Sequence, residues 1–474
     1  MTTQQQPNIV MVLTDDHAAH SIGCYGSVVN RTPRIDEIAE RGWRFDNCFV
    51  TNSLCSPSRA SILTGTYSQV NGVYTLMTPI DASQPTFISQ LRGAGYRTAI
   101  VGKWHLGHGA GHDPQNFDYW DVLIDQGEYH DPRLLSADGL RVEHGYATDV
   151  ITDLSLRWLE SLGGDDPWCL LICHKAPHRP WEPNERHGDL YREPIPVPAT
   201  FHDDYSTRSS SARRAAMRIA EYLTSEDLKR PPPEGLGYEE LTLWKYQRFM
   251  EDYLRCVASI DDNVGRVIDW LRARHEFDDT VVIYSSDQGF FLGDHGWFDK
   301  RLMYEESLRM PFLVSCPSLL PAGRVFDGIV TNVDFAQSIL DAAAVEQHPR
   351  MQGRSFWPDL LGTPTEPPAE GMYYRYWEHD DRWHRVPGHH GYRTDRYKLV
   401  YFYNDGLGLQ GTSPVTYPPE WELYDLQNDP CELHNVYDEA PYRAVSTELK
   451  VAMWDLQQRL GDAPHASQER LSGR

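Results

Sequence analysis

Uninterrupted apolar runs recur along the chain, and each has the length of a β-strand that is buried on both faces. The clearest are NIVMVLT at 8–14, RTAIV at 97–101, and the runs inside DPWCLLICHKAPHRPW and DTVVIYSSDQGFFLGDHG. Such runs are typical of parallel strands that helices cover on both sides. Between the first two runs, Thr32, Pro33 and Gly42 mark a helix by its cap, its first-turn proline and its glycine stop. The pattern predicts an α/β fold with a large, doubly wound mixed sheet flanked by helices.

The chain departs from this pattern in its middle and at its end. Residues 183–237 are irregular, with STRSSSARR and RPPPEG, and we expect an insertion there that acts as a lid over the site. Residues 238–274 carry apolar side chains at helical spacing, which predicts a long amphipathic helix. The short aromatic runs YYRYW, YKLVYFY and WELYDL and a closing helix at 440–460 predict a smaller antiparallel α+β subdomain. The predicted division is a catalytic domain at 1–367 and a C-terminal subdomain at 368–474.

Oxygen-bearing side chains follow two of the buried strands directly. Asp15 and Asp16 come after the first strand, and Asp287 and Gln288 come after the strand near 280. The carboxyl ends of parallel strands meet at one edge of a sheet, which is where open α/β sheets bind their ligands. A single Asp-Asp pair after a strand is more often a turn or a helix cap. Two such pairs favour a hard cation, Ca²⁺ or Mg²⁺, held by oxygen ligands alone.

A second group of polar residues is cationic or can accept a proton. Its members follow strands or lie in the loops beyond them: Arg59, Lys103, His105, His174, His178 and Lys300. Any one of them alone would be read as a solvated or hydrogen-bonded side chain. Together they suit a clamp for an oxyanion, with histidine as a candidate general acid or base. A cation and such a clamp favour displacement at a tetrahedral phosphoryl or sulfuryl centre.

Cys55 is the candidate nucleophile, in the stretch CSPSRASILTG. A thiolate beside a hard cation is a poor chemical pairing, because soft sulfur prefers Zn²⁺ or Cu(I). From the residues alone, the cysteine could be a packing residue, a metal ligand or a nucleophile.

The stretch CSPSRASILTG resembles the activation motif of the type I sulfatases, Cys-x-Pro-Ser-Arg followed by Leu-Thr-Gly, within the alkaline-phosphatase-like superfamily. The resemblance extends to PNIVMVLTDDH, GKWHLG, HKAPHRPW, SSDQGFFLGDHGWFDK and ELYDLQNDPCELHNV, and so covers nearly the whole chain. In that family a maturation enzyme oxidises the cysteine to formylglycine, whose hydrated aldehyde supplies an oxygen nucleophile. The resemblance therefore implies a sulfatase, and it removes the conflict between a soft thiolate and a hard metal.

The resemblance also implies roles for individual residues. The implied Ca²⁺ ligands, with Mg²⁺ as the alternative ion, are Asp15, Asp16, Asp287, Gln288 and the modified Cys55. Many family members carry Asn where this chain has Gln288, which keeps the amide oxygen on a longer arm. The implied catalytic residues are Arg59 for the formylglycine hydroxyl, Lys103, His178 and Lys300 for the sulfate oxygens, and His105 for expelling sulfate. His178 or Lys300 would also assist the leaving alcohol.

For the substrate, the motifs resemble the subgroup that acts on the 6-O-sulfate of N-acetylglucosamine in heparan-type chains. The residues we expect to face the sugar are His174, Trp377, Asp380, His389 and His390. The alternative for several of them is packing within the subdomain. Two other functions stay open: a phosphonate monoester or phosphodiester hydrolase of the same superfamily, and an inactive carbohydrate-binding relative. A mechanism of the alkaline-phosphatase type, with metal alone, would use serine or threonine in place of this cysteine.

Composition limits the classes of partner that we expect this protein to bind. The 474 residues carry a net charge of −24, which excludes nucleic acid and anionic membranes as favoured partners. The 8 cysteines lack disulfide-framework spacing and predict reduced thiols. We find no signal-peptide pattern and no apolar stretch of transmembrane length, and therefore expect a cytoplasmic protein. The expected partners are a small or oligosaccharide sulfate ester and the maturation enzyme.

Overall fold

The computed structural model describes residues 6–164 and 166–467. The strands are β1 (Asn8–Thr14), β2 (Trp43–Phe45), β3 (Cys48–Phe49), β4 (Arg97–Lys103), β5 (Tyr119–Leu123), β6 (Arg133–Ser136), β7 (Gly139–Val142), β8 (Trp168–Cys173), β9 (Thr280–Ser286), β10 (Phe291–Leu292), β11 (Phe298–Asp299), β12 (Phe312–Ser315), β13 (Arg324–Phe326), β14 (Val330–Thr331), β15 (Gly371–Tyr376), β16 (His389–Thr394), β17 (Tyr397–Phe402) and β18 (Glu420–Asp425). The helices are α1 (Pro33–Glu40), α2 (Cys55–Thr64), α3 (Ser68–Asn71), α4 (Phe87–Gly93), α5 (Ala147–Ser161), α6 (Ser210–Arg214), α7 (Ile219–Tyr222), α8 (Ser225–Leu228), α9 (Tyr238–Ala273), α10 (Glu305–Leu308), α11 (Phe335–Ala342), α12 (Trp357–Leu360) and α13 (Arg443–Arg459).

The main sheet has ten strands in the order β13-β2-β12-β9-β1-β8-β4-β5-β6-β7. Its centre, from β9 to β5, is parallel, and the flanking strands β12, β6 and β7 pair antiparallel to their inner neighbours. A second, antiparallel sheet of four strands, β15 to β18, lies towards the C-terminus. The predicted fold class, a large mixed sheet with a smaller antiparallel α+β part, is confirmed.

The register of the central strands brings the strand-end residues together. Leu13 of β1 lies opposite Cys173 of β8 on one side and Ser285 of β9 on the other. The three strands therefore end at the same level, and the residues that follow them share one edge of the sheet. This register is the reason that side chains far apart in sequence can form one site.

The long helix α9 supports that edge from one face of the sheet. It spans 36 residues, as its apolar spacing predicted, and packs its buried stripe against α5 and α1. The Tyr253 hydroxyl donates to the carbonyl of Asp16 (2.8 Å) and accepts from the backbone N–H of Ala18 (2.9 Å). The helix thus fixes the backbone just after β1.

The C-terminal sheet supports the opposite side of the site. The Tyr374 hydroxyl on β15 donates to the carbonyl of Arg301 (2.5 Å), and Lys398 on β17 pairs with Glu305 (2.9 Å) and Glu432 (2.6 Å). Both faces of this sheet are buried, one against α13 and the other against the main core. None of the helices that the structure describes combines the length and the apolar character that a membrane crossing requires.

Gly102 allows β4 to approach β8 closely just before Lys103. Its φ is +104°, and a Cβ there would lie 2.0 Å from the carbonyl oxygen of Cys173. We expect Gly102→Ala to lower the free energy of unfolding by about 3 kcal/mol or more, because left-handed strain adds to a backbone overlap. Thermal unfolding midpoints measure the effect. Gly95 is the control, since its φ is +97° and no atom lies within 4 Å of a Cβ placed there. Gly95→Ala therefore adds backbone strain without an overlap, and we expect it to lower the free energy of unfolding by about 1 kcal/mol. Equal midpoints for the two variants would contradict the overlap.

Candidate active site

Cys55 is the first residue of α2 and is 1% exposed. Its thiol donates to Asp15 Oδ1 (3.3 Å), and the side chain lies within the cluster formed at the ends of β1 and β9. Burial, reinforced by the negative charge of Asp15, raises the pKa of Cys55 to about 12. The unmodified residue is therefore a neutral thiol at physiological pH and a weak nucleophile.

Three carboxylates meet beside this thiol. Asp15, Asp16 and Asp287 are fully buried, and each offers an oxygen within 4.8 Å of the others. Burial raises the pKa of Asp287 to about 7, with Asp15 adding repulsion, and burial also raises the pKa of Asp16. Burial alone would raise the pKa of Asp15 as well, but Lys103 and other cations hold it well below its usual range. Three charges at this distance call for a cation between them.

Gln288 provides an independent sign of a cation. Its Oε1 is buried and has no hydrogen-bond partner among the described residues, while its Nε2 donates to Asp16 Oδ1 (2.6 Å). Rotating the amide by half a turn would exchange these atoms and turn the oxygen towards the carboxylates. The donor set is then three carboxylates and one amide oxygen, which fits a hard divalent ion such as Ca²⁺ or Mg²⁺.

Each carboxylate of this cluster also has a buried cationic partner. Lys300 Nζ lies 2.7 Å from Asp16, Lys103 Nζ contacts Asp15, and Arg59 Nε donates to Asp287 Oδ2 (2.9 Å). Arg59 also donates from Nη1 to the carbonyl of Lys103 (2.8 Å), which ties α2 to the end of β4. Asp16 raises the pKa of Lys300 although burial opposes this, so the ammonium group stays charged.

Two histidines border the cluster. His178 Nδ1 lies 2.6 Å from the carbonyl of Arg179, so in the neutral ring this nitrogen carries the proton and Nε2 faces Asp16 at 3.7 Å. His105 has a φ of 53° and contacts Ser56, whose hydroxyl donates to the carbonyl of His105 (2.6 Å). Burial holds the pKa of both rings well below the usual histidine value. Both rings are therefore neutral and able to accept a proton.

The structure thus brings together the residues predicted as metal ligands and as catalytic groups. They come from six separate segments: Asp15 and Asp16, Cys55 and Arg59, Lys103 and His105, His178, Asp287 and Gln288, and Lys300. Their arrangement can hold a divalent cation, neutralise an oxyanion and place a nucleophile beside both. Their individual roles remain predictions.

The residues predicted to face a sugar lie elsewhere. His389 packs its ring against Tyr374 and Tyr376, and its Nδ1 contacts the carbonyl of Pro387 (2.7 Å). The others are also buried, with Trp377 stacked under Arg375, Asp380 bonded to Arg385, His390 beside Tyr401, and His174 directly after β8, where its backbone N–H donates to the carbonyl of Leu13 (2.9 Å). In the described part of the chain, none of these five residues contributes to the wall of the cavity above Cys55. Their positions therefore give no support to their predicted role.

A cavity of about 430 Å³ leads from the surface to Cys55, and we call it the Cys55 cavity. Its wall is formed by Cys55, Leu76, Gln126, His178, Arg179, Ala216, Glu221, Tyr222, Thr224, Phe298, Asp299, Lys300, Arg301, Trp383 and His384. The segment predicted as an insertion contributes Ala216 to Thr224, and its closure over a substrate stays a prediction. This volume is in the range of small-molecule sites.

Sequence reasoning missed the polar part of this wall. Arg301 forms an ion pair with Asp299, and His384 Nε2 lies 3.4 Å from the same carboxylate. Asp299 lies within the motif SSDQGFFLGDHGWFDK and Arg301 directly follows it, and their place beside Lys300 was a signal that could have found them. Both adopt positive φ, 81° and 87°, a strained backbone of the kind that collects at functional sites. His384 lies in a different segment, and nothing in its local sequence marks it.

The fold and the site together define a hydrolase of the alkaline-phosphatase-like superfamily. Residues 7–345 match the family model described as Sulfatase, and residues 293–459 match the model described as N-sulphoglucosamine sulphohydrolase, C-terminal. The chain belongs to the sulfatase family and is a sulfuric ester hydrolase. The predicted family and reaction class are confirmed.

Two relatives are similar over nearly the whole chain. The N-acetylglucosamine-6-O-sulfatase of Bacteroides thetaiotaomicron is 39% identical over 505 residues, covering 97% of this chain and 87% of its own. A solved structure of BT4656 in complex with its substrate D-glucosamine-2-N,6-O-disulfate has a TM-score of 0.89 at 38% identity, covering 96% of this chain and 98% of its own.

A phosphonate monoester hydrolase of Agrobacterium radiobacter has the same fold, with a TM-score of 0.73 at 19% identity, covering 96% of each chain. At this identity the similarity concerns the fold alone. It shows that the architecture by itself does not distinguish sulfate esters from phosphonate esters.

Proposed function

We propose that this sulfatase removes the 6-O-sulfate from a glucosamine residue, N-acetylated or N-sulfated, of heparan-type saccharides. The observation that carries the proposal is the Cys55 cavity, which ends at Cys55 and Lys300 and continues into the polar wall of Asp299, Arg301 and His384. Sugar hydroxyls need such paired donors and acceptors beside the reacting group. The two full-length relatives described above support this choice of substrate.

In the proposed reaction, the sulfate group lies against Lys103, His178 and Lys300. All three are buried around the Cys55 side chain, so the negative charge of a sulfate would be neutralised away from bulk water. Lys300, whose charged ammonium group faces Asp16, or His178 would assist the departing alcohol; His178, neutral with its proton on Nδ1, would do so only after its Nε2 has taken up a proton. His105, next to Ser56, would accept a proton when sulfate is released.

The proposal includes two groups that complete the site. Formylglycine, made from Cys55 by a maturation enzyme, would supply an oxygen nucleophile where the unmodified thiol is a weak one. A calcium ion held by Asp15, Asp16, Asp287 and Gln288 would stabilise negative charge on the sulfate. Arg59 binds Asp287 and the end of β4, and its Nη2 is buried without a partner among the described residues, so it is placed to hold a hydroxyl group near residue 55.

The substrate is tested by sulfate release from a panel of esters. We expect glucosamine-2-N,6-O-disulfate and N-acetylglucosamine 6-sulfate to be hydrolysed with kcat/KM at least about tenfold above a galactose 6-sulfate. Galactose differs from these sugars in the substituent at C2 and in the configuration at C4, and a polar binding site discriminates between such groups. An aryl sulfate and a phosphodiester complete the panel. The mass of the Cys55 peptide must first show the aldehyde or its hydrate, since an unmodified protein would be inactive on every ester. A preference for the phosphodiester would favour the alternative of a phosphonate or phosphodiester hydrolase. Hydrolysis of the aryl sulfate alone would contradict the proposal that the substrate is a sugar sulfate.

A further inference from the structure

A large aromatic side chain lies in the open at the mouth of the Cys55 cavity. Trp383 is 66% exposed, although it contributes to the wall of that cavity. It directly precedes His384, whose ring contacts Asp299 next to Lys300. The indole is therefore close to the place where the sulfate would react, but it lies on the solvent-exposed side of the cavity wall.

The loop that carries Trp383 is held in place. Asp381 Oδ1 accepts hydrogen bonds from the backbone N–H groups of Trp383 (3.0 Å) and His384 (3.1 Å). The carbonyl of His384 accepts from the backbone N–H of Ala216 (2.6 Å), which joins the loop to the opposite segment of the cavity wall. Because the loop is fixed at both points, binding a ligand on the indole would cost little ordering of the backbone.

The charge beside the indole is positive. The guanidinium of Arg382 lies 4.2 Å from the centre of the Trp383 ring, and no ion pair joins Arg382 to an acidic residue in the part of the chain that the structure describes. In a protein of net charge −24, Arg382 places a positive charge directly beside the exposed indole at the cavity wall. It favours an anionic group at this position.

We propose that Trp383 and Arg382 form a second sugar position, which binds the residue joined to the sulfated glucosamine. One face of the indole would pack against the apolar C–H face of that sugar, and Arg382 would pair with an acidic group on it, such as the carboxylate of a uronic acid. This inference rests on the proposed function. It implies that the enzyme prefers oligosaccharides with the sulfated residue at one end over the free monosaccharide.

The test compares two substrates on the same enzyme preparations. One is N-acetylglucosamine 6-sulfate, and the other is a disaccharide in which that residue is linked to a uronic acid. The readout is the ratio of kcat/KM for the disaccharide to kcat/KM for the monosaccharide. We expect Trp383→Ala to reduce this ratio about tenfold, and Trp383→Phe, which keeps an aromatic face, to retain most of it. Melting temperatures establish that the variants are folded.

Two further variants separate the charge from the ring. Arg382→Gln should reduce the ratio for the uronic acid disaccharide and leave it unchanged for a disaccharide with a neutral second sugar. Leu140→Ala is the control, because Leu140 is 59% exposed but lies on β7, outside the wall of the Cys55 cavity. The ratio of kcat/KM values for this control variant should equal the ratio for the protein without substitutions.

The outcomes distinguish the two proposals. If the enzyme hydrolyses the monosaccharide and Trp383→Ala leaves the ratio unchanged, the second sugar position is wrong and the proposed function stands. If the enzyme with a mature Cys55 hydrolyses neither sugar sulfate, both proposals are overturned.

Discussion

Cys55→Ala is expected to reduce sulfate release by at least about 10³-fold while the protein stays folded. The loss follows because Cys55 would be the precursor of the nucleophile, and its sulfur lies within the cluster, beside Asp15 and His178. The fold should persist, since the substitution removes a single sulfur whose described contacts are polar, at a cost of about 1 kcal/mol. Initial rates on N-acetylglucosamine 6-sulfate and the melting temperature measure the two effects.

Cys169→Ala is the matched control for this prediction. Cys169 is also fully buried, but it lies within β8 between core residues, and its pKa is raised by burial alone. Its replacement should lower the melting temperature modestly and leave the rate per folded molecule unchanged. An active Cys55→Ala protein would show that sulfate release does not depend on residue 55, and would contradict the proposal of a formylglycine nucleophile.

Removing divalent cations with a chelator is expected to abolish sulfate release and to lower the melting temperature, with calcium restoring both. Without a cation, the buried carboxylates of Asp15, Asp16 and Asp287 repel one another; burial raises the pKa of Asp287 to about 7, and the charge of Asp15 adds to that rise. An ion that binds only the folded protein stabilises it in proportion to the logarithm of its concentration. The measurements are calcium titrations of activity and of the melting temperature, with magnesium for comparison.

Asp287→Asn makes this prediction specific. The amide keeps an oxygen for the Arg59 contact but removes one negative charge from the ligand set, so the calcium concentration for half-maximal activity should rise about 100-fold or more. Asp269→Asn is the control, because that carboxylate is exposed and pairs with Arg34 on the surface. Equal calcium affinity in the two variants would place the ion elsewhere.

Part of the wall of the Cys55 cavity could not be predicted from the sequence. His389 and His390 were predicted to face the sugar as members of a C-terminal segment rich in aromatic and histidine residues, with packing within the subdomain as the alternative. Both faces of their sheet are covered, so the alternation of side chains along β16 carries both rings into protein interior. Other parts of the wall come from Ala216, Glu221, Tyr222 and Thr224, in and around the short helix α7, and from Trp383 and His384, where the sequence has no long periodic pattern.

The sequence by itself determined the buried strands, the long helix α9 and the chemical types of the residues around Cys55. Local patterns carry this information, because a strand buried on both faces and the polar residues that follow it are adjacent in the chain. Only the tertiary structure decided that β8 and β9 flank β1 in a register that ends all three strands together. It also decided which distant loops close over Cys55. Those choices depend on packing between segments hundreds of residues apart, for which no local pattern exists.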